Sequence, residues 1–119
     1  MRPLSWLLAL CMLATPGLVA AHAVLTGTSI EGDRIPAGAE TTVVLRFNSA
    51  IEPALSCVAL VDAQKAERVL ALHPGAEPGR VEVTVPALTP GAYGLHYKIF
   101  AVDGHVTENV VRFTAAPAD

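Results

Sequence analysis

The sequence predicts an all-β domain, a Greek-key β-sandwich or barrel of about seven strands with an immunoglobulin-like architecture. Three observations support this prediction. Apolar and polar residues alternate with a period of two over several short segments, and stretches rich in Gly, Pro, Asp and Asn separate these segments at regular intervals. No segment shows a long helical period, and no internal repeat is present. Short, regularly spaced strands of this kind are typical of sandwiches.

The first half of the domain contains three predicted strands. "AVLTGTSI" is the first, and "EGDRIPAGAE" after it consists of turn residues. "TTVVLRFNS" alternates, which places three apolar side chains on one face: Val43, Leu45 and Phe47. "SCVALVDA" is the third strand. We expect its Cys57 to be a buried thiol, because this is the usual state of a lone cysteine in an apolar segment.

The second half continues the pattern. "KAERVLAL" is predicted as a strand or strand edge, and "HPGAEPGR" as a loop. "RVEVTVPAL" alternates clearly, and "TENVVRFTA" is the closing strand. Between them, "AYGLHYKIF" places His96 and Lys98 on one face. Its apolar and aromatic side chains share the opposite face: Tyr93, Leu95, Tyr97 and Ile99.

Residues 1–21 have the pattern of a cleaved secretory signal peptide. A basic residue, Arg2, precedes an apolar run that is shorter than the ~20 residues needed to span a bilayer, and small residues follow it. Cleavage after Ala21 would leave His22 as the new N-terminus, whereas cleavage after Ala20 would leave Ala21 there. We favour the first site. The mature domain is then 22–119, exported to the periplasm and not inserted in the membrane.

Charge and cysteine content restrict the classes of partner. Removal of Arg2 with the signal peptide changes the formal charge from −3 to −4, and no basic patch is present. Nucleic acid and an anionic membrane surface are therefore not expected partners. Cys57 is the single cysteine of residues 22–119, so an intramolecular disulfide is impossible. The length indicates one domain, and we expect a monomer.

The four histidines differ in their surroundings. His96 is predicted to be an exposed strand residue, and His73, next to Pro74, a solvated loop residue. His105 follows Asp103 and Gly104 in the segment "VDGHVTEN". Asp-Gly alone is a common hairpin turn, so this motif by itself predicts a turn. A functional interpretation requires a second group nearby.

His22 can supply that second group if it is the N-terminal residue. Its α-amine and imidazole can chelate one metal ion, and Asp103 and His105 add a carboxylate and a second imidazole. The two side chains can converge because they lie two residues apart on an extended segment or because the chain turns at Gly104. Three nitrogens and one oxygen suit Cu(II), one ion per chain. Zn(II) could use the same donors in a tetrahedral arrangement. Both methionines lie in residues 1–21, which disfavours a Cu(I) site.

The sequence resembles the CopC family of small periplasmic copper-binding proteins. The resemblance rests on "HAVLTGTSIEGDRIPAG", on "VVLRFNSAIEPALSCVALVD" and above all on "LTPGAYGLHYKIFAVDGHVTENVVRF". It implies a Greek-key barrel or sandwich and a Cu(II) site formed by His22, Asp103 and His105. It also implies a role in copper homeostasis, import or resistance alongside an inner-membrane CopD-like copper transporter. Some members have a Met-rich Cu(I) loop that is missing here.

Two other functions remain open at the level of sequence. A copper monooxygenase with a histidine-brace site also uses an N-terminal histidine, but it needs an open coordination position and a polymer-binding surface. An immunoglobulin-like adhesion module needs no metal, but leaves the combination of His22, Asp103 and His105 unexplained. We expect a copper carrier that is not an enzyme.

Overall fold

The computed structural model describes residues 23–117, which form two packed β-sheets. The predicted signal peptide, its cleavage site and His22 lie outside these residues. The nine strands are β1 (Leu25–Thr28), β2 (Arg34–Pro36), β3 (Thr41–Phe47), β4 (Cys57–Val61), β5 (Glu67–Val69), β6 (Leu72–Pro74), β7 (Arg80–Val85), β8 (Gly91–Phe100) and β9 (Val106–Ala116).

The strands are divided between a four-stranded and a five-stranded sheet. The first has the order β1-β3-β7-β6 and the second the order β2-β9-β8-β4-β5. Neighbouring strands are antiparallel except β2 and β9, which are parallel. The predicted all-β sandwich is confirmed. The structure has nine strands, whereas about seven were expected. The difference arises from the short strands β2, β5 and β6, which contain only three residues each.

The core lies between the two sheets and follows the alternation of the sequence. Val43, Leu45 and Phe47 are buried on β3, as predicted. Phe47 meets Tyr97 of the other sheet edge to face, with 5.5 Å between ring centroids. The largest fully buried side chains come from both sheets: Leu45, Leu95, Ile99, Val43, Val58, Val81, Val83 and Val85. Removal of their apolar surface from water stabilises the packed sheets.

Two segments predicted as turns and loops contain short edge strands. Residues 34–36 form β2, and His73 and Pro74 belong to β6. Each strand ends at a proline, which lacks an N–H donor and is tolerated at sheet edges. His73 is exposed as expected, but it lies in a strand. The segment predicted as a strand or strand edge does contain β5 and the start of β6.

The prediction that Cys57 is buried is wrong, because its thiol is exposed. On β4, Val58 and Leu60 are buried on the core side. Successive side chains of a strand point to opposite faces, so Cys57 lies on the outer face of the five-stranded sheet. It is paired there with Lys98 of β8.

The β8–β9 hairpin positions the candidate site. Ten consecutive residue pairs join the two strands, from Gly91 with Ala115 to Phe100 with Val106. A 3-10 turn at Pro53–Leu55 lies against the end of β8. The N–H of Glu52 donates to the carbonyl of Phe100 at 2.8 Å. Within residues 23–117, no helix has the length and apolar character needed to cross a membrane.

Candidate metal centre

A tight turn from Ala101 to His105 closes the β8–β9 hairpin. The N–H of Ala101 donates to the carbonyl of His105 at 2.8 Å, and the N–H of Gly104 donates to the carbonyl of Ala101 at 3.0 Å. Gly104 has a φ of +93°, which L-residues with a side chain rarely adopt. Glycine at this position therefore allows the chain to reverse between the two predicted ligands.

The turn brings Asp103 and His105 together. Oδ1 of Asp103 lies 3.1 Å from Nδ1 of His105 and accepts a hydrogen bond of 3.1 Å from the His105 backbone N–H. The side chains are 40% and 38% exposed, respectively. Of the two routes to convergence considered above, the turn at Gly104 is the one adopted. The segment is therefore a hairpin turn, as Asp-Gly alone predicts, and the same turn places the carboxylate and the imidazole close together.

The electrostatics of this turn favour an ionised carboxylate. The backbone N–H of His105, followed by its side chain, lowers the pKa of Asp103 below its usual value. Hydrogen bonds to the charged form of an acid have this effect. Asp103 is therefore an anion at neutral pH, which is the form in which a carboxylate coordinates a metal.

The described chain begins beside the strand that follows His105. Ala23 is fully buried and lines a groove with Val106, Thr107 and Asn109 of β9. Val24 fixes this segment to the opposite sheet: its N–H donates to Oδ1 of Asn48 at 2.7 Å, and its carbonyl accepts from the Asn48 N–H at 3.0 Å. The N-terminal side of the domain and the Asp103–His105 turn thus adjoin the same end of β9.

The structure brings together two of the three predicted metal ligands, Asp103 and His105. The third, His22, lies outside the described residues. Within residues 23–117, no group of three or more His, Cys, Asp or Glu side chains is arranged to hold a metal ion. Two protein donors are fewer than the three or four typical of transition-metal sites. The described residues therefore supply two side-chain donors at this turn.

His96 has two acidic neighbours that the sequence analysis missed. Its Nδ1 lies 3.1 Å from Oε1 of Glu67, and its Nε2 lies 2.7 Å from Oε2 of Glu108. The sequence correctly predicted that His96 lies on the outer face of the sheet. Its contacts with Glu67 and Glu108 were missed because they depend on the register of β5, β4, β8 and β9. Other residues of the outer face also adjoin His96. Lys98 is the next outward residue of β8, and Ala59 and Val110, which pair directly with His96, are uncharged.

We expect His96 to stabilise the fold more at low pH than at high pH. Hydrogen bonds to Glu67 and Glu108 raise its pKa above 6.5. A group whose pKa is raised in the folded state makes its full contribution to stability at pH values below its unfolded-state pKa. This contribution is lost as the pH rises through the folded-state pKa. For a partly exposed cluster the effect is at most about 1 kcal/mol.

Titration of the His96 ring by NMR and urea unfolding at pH 5.5 and 8.5 test this. The difference in unfolding free energy between wild type and His96→Gln should shrink at the higher pH. The double variant Glu67→Gln/Glu108→Gln should return the pKa of His96 toward 6.5. A wild-type pKa at or below 6.5 contradicts the prediction.

The fold and site define a small β-sandwich protein that presents a carboxylate and an imidazole on a hairpin turn. The family model "CopC domain" matches residues 25–116. The chain therefore belongs to the CopC family. A comparison with curated protein sequences gives no significant match.

Solved structures share this fold. CopC from Methylosinus trichosporium OB3b has 26% sequence identity and a TM-score of 0.70, over 82% of this chain and 97% of that one. PcoC, a methionine-rich copper resistance protein from Escherichia coli, has 21% identity and a TM-score of 0.62, over 81% and 100%. A superoxide reductase (neelaredoxin) from Ignicoccus hospitalis has 14% identity and a TM-score of 0.53, over 83% and 86%. The last two show likeness of fold alone.

Proposed function

We propose that this protein is a periplasmic Cu(II) carrier that binds one ion per chain and turns over no substrate. The observation that carries the proposal is the convergence of Asp103 and His105 at the Gly104 turn, beside the first described residues of the chain. Membership of the CopC family supports a copper-binding role in the periplasm. The proposed ligands are the α-amine and imidazole of His22, Asp103 and His105.

The chemistry of the donors favours Cu(II) over other ions. Three nitrogens and one carboxylate oxygen match its preference for tetragonal N,O coordination, and Cu(II) lies at the top of the divalent affinity order. The amine and both imidazoles must be unprotonated to bind, with ordinary pKa values of about 7.7–8.0 and 6.5. Asp103 is already ionised, because its pKa is lowered. Affinity should therefore fall with decreasing pH through loss of the nitrogen donors.

A carrier function agrees with the proposed coordination. The four donors of His22, Asp103 and His105 would satisfy a four-coordinate Cu(II) ion, whereas a histidine-brace oxygenase needs an open position for its oxidant. The superoxide reductase among the structural neighbours illustrates that a shared fold does not define an activity. We also propose that a CopD-like inner-membrane transporter exchanges copper with this protein, in import or in resistance.

Addition of one residue before His22 tests the proposed function. We expect a mature chain that begins with Ala-His22 to bind Cu(II) at least about 100-fold more weakly, a larger loss than the 10–100-fold caused by removal of an outer-sphere partner. The reason is that the α-amine moves away from the imidazole with which it forms a chelate. Competition titration against a Cu(II) chelator measures the affinity.

A chain with one alanine added after Asp119 is the matched control and should bind as the unmodified chain does. Mass spectrometry of the secreted protein should show His22 as the first residue. Equal affinity of the N-terminally extended and unmodified chains would contradict the amine ligand.

A further inference from the structure

Asn48 bonds the start of the described chain to the end of β3. Its side-chain Oδ1 accepts a hydrogen bond of 2.7 Å from the N–H of Val24, and its backbone N–H donates to the carbonyl of Val24 at 3.0 Å. Leu25 of β1 is paired with Phe47 of β3. The two bonds of Asn48 therefore extend the pairing of β1 with β3 by one residue toward the N-terminus.

The segment before β1 has few other contacts that could fix its direction. The side chain of Val24 is 52% exposed, and Ala23, although fully buried, carries only a methyl group. Chain ends fray unless they are tied down by hydrogen bonds or packing. The two hydrogen bonds to Asn48 are therefore the main directional contacts that the described residues give to this segment.

The residues that follow Asn48 are bonded to the Asp103–His105 turn. The carbonyl of Ala50 accepts a hydrogen bond of 3.1 Å from the N–H of Val102, and Ile51 forms an isolated bridge with the residue before Val102. Asn48 and Ala50 are two residues apart, so their Cα atoms are separated by at most about 7 Å. One short segment thus holds both the start of the described chain and the turn.

Covalent geometry extends this constraint to the proposed N-terminal ligand. Consecutive Cα atoms of a chain lie about 3.8 Å apart, so the direction of the backbone at Val24 and Ala23 restricts where the residue before them can lie. That residue is His22, the proposed source of an amine and an imidazole. Fixing the segment before the ion arrives reduces the ordering that binding requires.

We propose that Asn48 is a positioning residue, which holds the N-terminal segment so that the donors of His22 can reach the Asp103–His105 turn. The inference rests on the proposed function, because it takes His22 as the N-terminal ligand. Asn48 does not bind the ion in this role. Its Oδ1 is directed to the N–H of Val24, and it acts on the site through the backbone.

Nuclear magnetic resonance of the copper-free mature protein tests the positioning role without the metal. Asn48→Ala removes the acceptor of the Val24 N–H, so this amide should show a lower order parameter and faster hydrogen exchange. Asn48→Asp keeps an acceptor oxygen and should restore both values. Ser29→Ala is the matched control, because Ser29 Oγ accepts from the N–H of Val44 at 2.8 Å near the other end of the same two strands. It should leave Val24 unchanged.

Competition titration with Cu(II) tests the consequence for the metal. Asn48→Ala should weaken binding about 10-fold, the lower end of the range for loss of an outer-sphere partner. Asn48→Asp should keep at least the wild-type affinity, and Ser29→Ala should equal it. In a chain with one alanine added before His22 the amine is already lost as a ligand, so Asn48→Ala should cause almost no further loss.

The outcomes separate this inference from the proposed function. Equal affinity of the extended and unmodified chains contradicts the amine ligand itself. If the extension weakens binding, the ligand stands, and the positioning role is then overturned by an Asn48→Ala variant with either a wild-type Val24 amide or wild-type affinity. An equal loss from Asn48→Ala in the extended and unmodified chains would also overturn it, since the residue would then act on the fold in general.

Discussion

Replacement of His105 by alanine is expected to weaken Cu(II) binding by at least about 100-fold, more than the 10–100-fold typical of an outer-sphere partner. The variant removes one imidazole from a proposed set of three nitrogens and one oxygen. It also removes the ring whose Nδ1 lies 3.1 Å from Oδ1 of Asp103. The backbone hydrogen bonds of the turn remain available, so the hairpin should form as before.

Competition titration of the mature protein provides the measurement, and His73→Ala is the matched control. His73 is an exposed imidazole on β6 of the opposite sheet, so its loss should leave the affinity unchanged. Asp103→Asn should cause a smaller loss than His105→Ala. The amide oxygen of asparagine can still accept the hydrogen bond from His105 N–H, but it carries no charge. Wild-type affinity in His105→Ala would remove the turn from the proposed site.

Truncation of Leu95 to alanine should lower the free energy of unfolding by about 2–5 kcal/mol. Leu95 is completely buried on β8, where it is paired with Leu60 and Val111 of the neighbouring strands. The variant loses apolar burial and leaves a cavity that a close-packed sandwich can fill only in part. Because a small domain is stabilised by only about 5–15 kcal/mol in total, this single change removes a large fraction.

Urea unfolding of both proteins at one pH gives this difference. Leu55→Ala is the matched control, since Leu55 is 61% exposed in the 3-10 turn. Its loss should change stability by no more than about 0.5 kcal/mol, as expected for a surface site. Similar effects of the two substitutions would contradict the assignment of the core.

The long strands could be predicted from sequence because a half-buried strand repeats every two residues. Val81, Val83 and Val85 are buried on β7 as their alternation indicates. The three-residue strands carry too few residues for such a pattern, and their position is decided by a partner strand that is distant in sequence. β2, for example, pairs with residues 114–116 of β9. The burial of Cys57 was predicted from apolar neighbours alone, although its position in the alternation placed it on the outer face.

The side-chain contacts also differ in whether they depend on residues that are near or distant in the sequence. Asp103 and His105 are separated by one residue, and a turn-forming glycine between them is visible in the sequence. The contacts of His96 with Glu67 and Glu108 bring together residues 29 and 12 positions away. They depend on the order and register of four strands, which alternation alone does not specify. Whether His22 completes the metal site remains a prediction.

The construction of the Gly104 turn has a consequence for how this protein can vary. Oδ1 of Asp103 holds the amide of His105, so the two donors are placed by the turn before any ion arrives, and little ordering is left for the binding step. The turn is anchored to the buried core through Ala101, which is 2% exposed. A substitution at Gly104 would strain the turn, because residues with a side chain rarely adopt its φ of +93°. A lowered melting temperature would therefore accompany any loss at the proposed metal site, and thermal stability alone would report on the state of this turn.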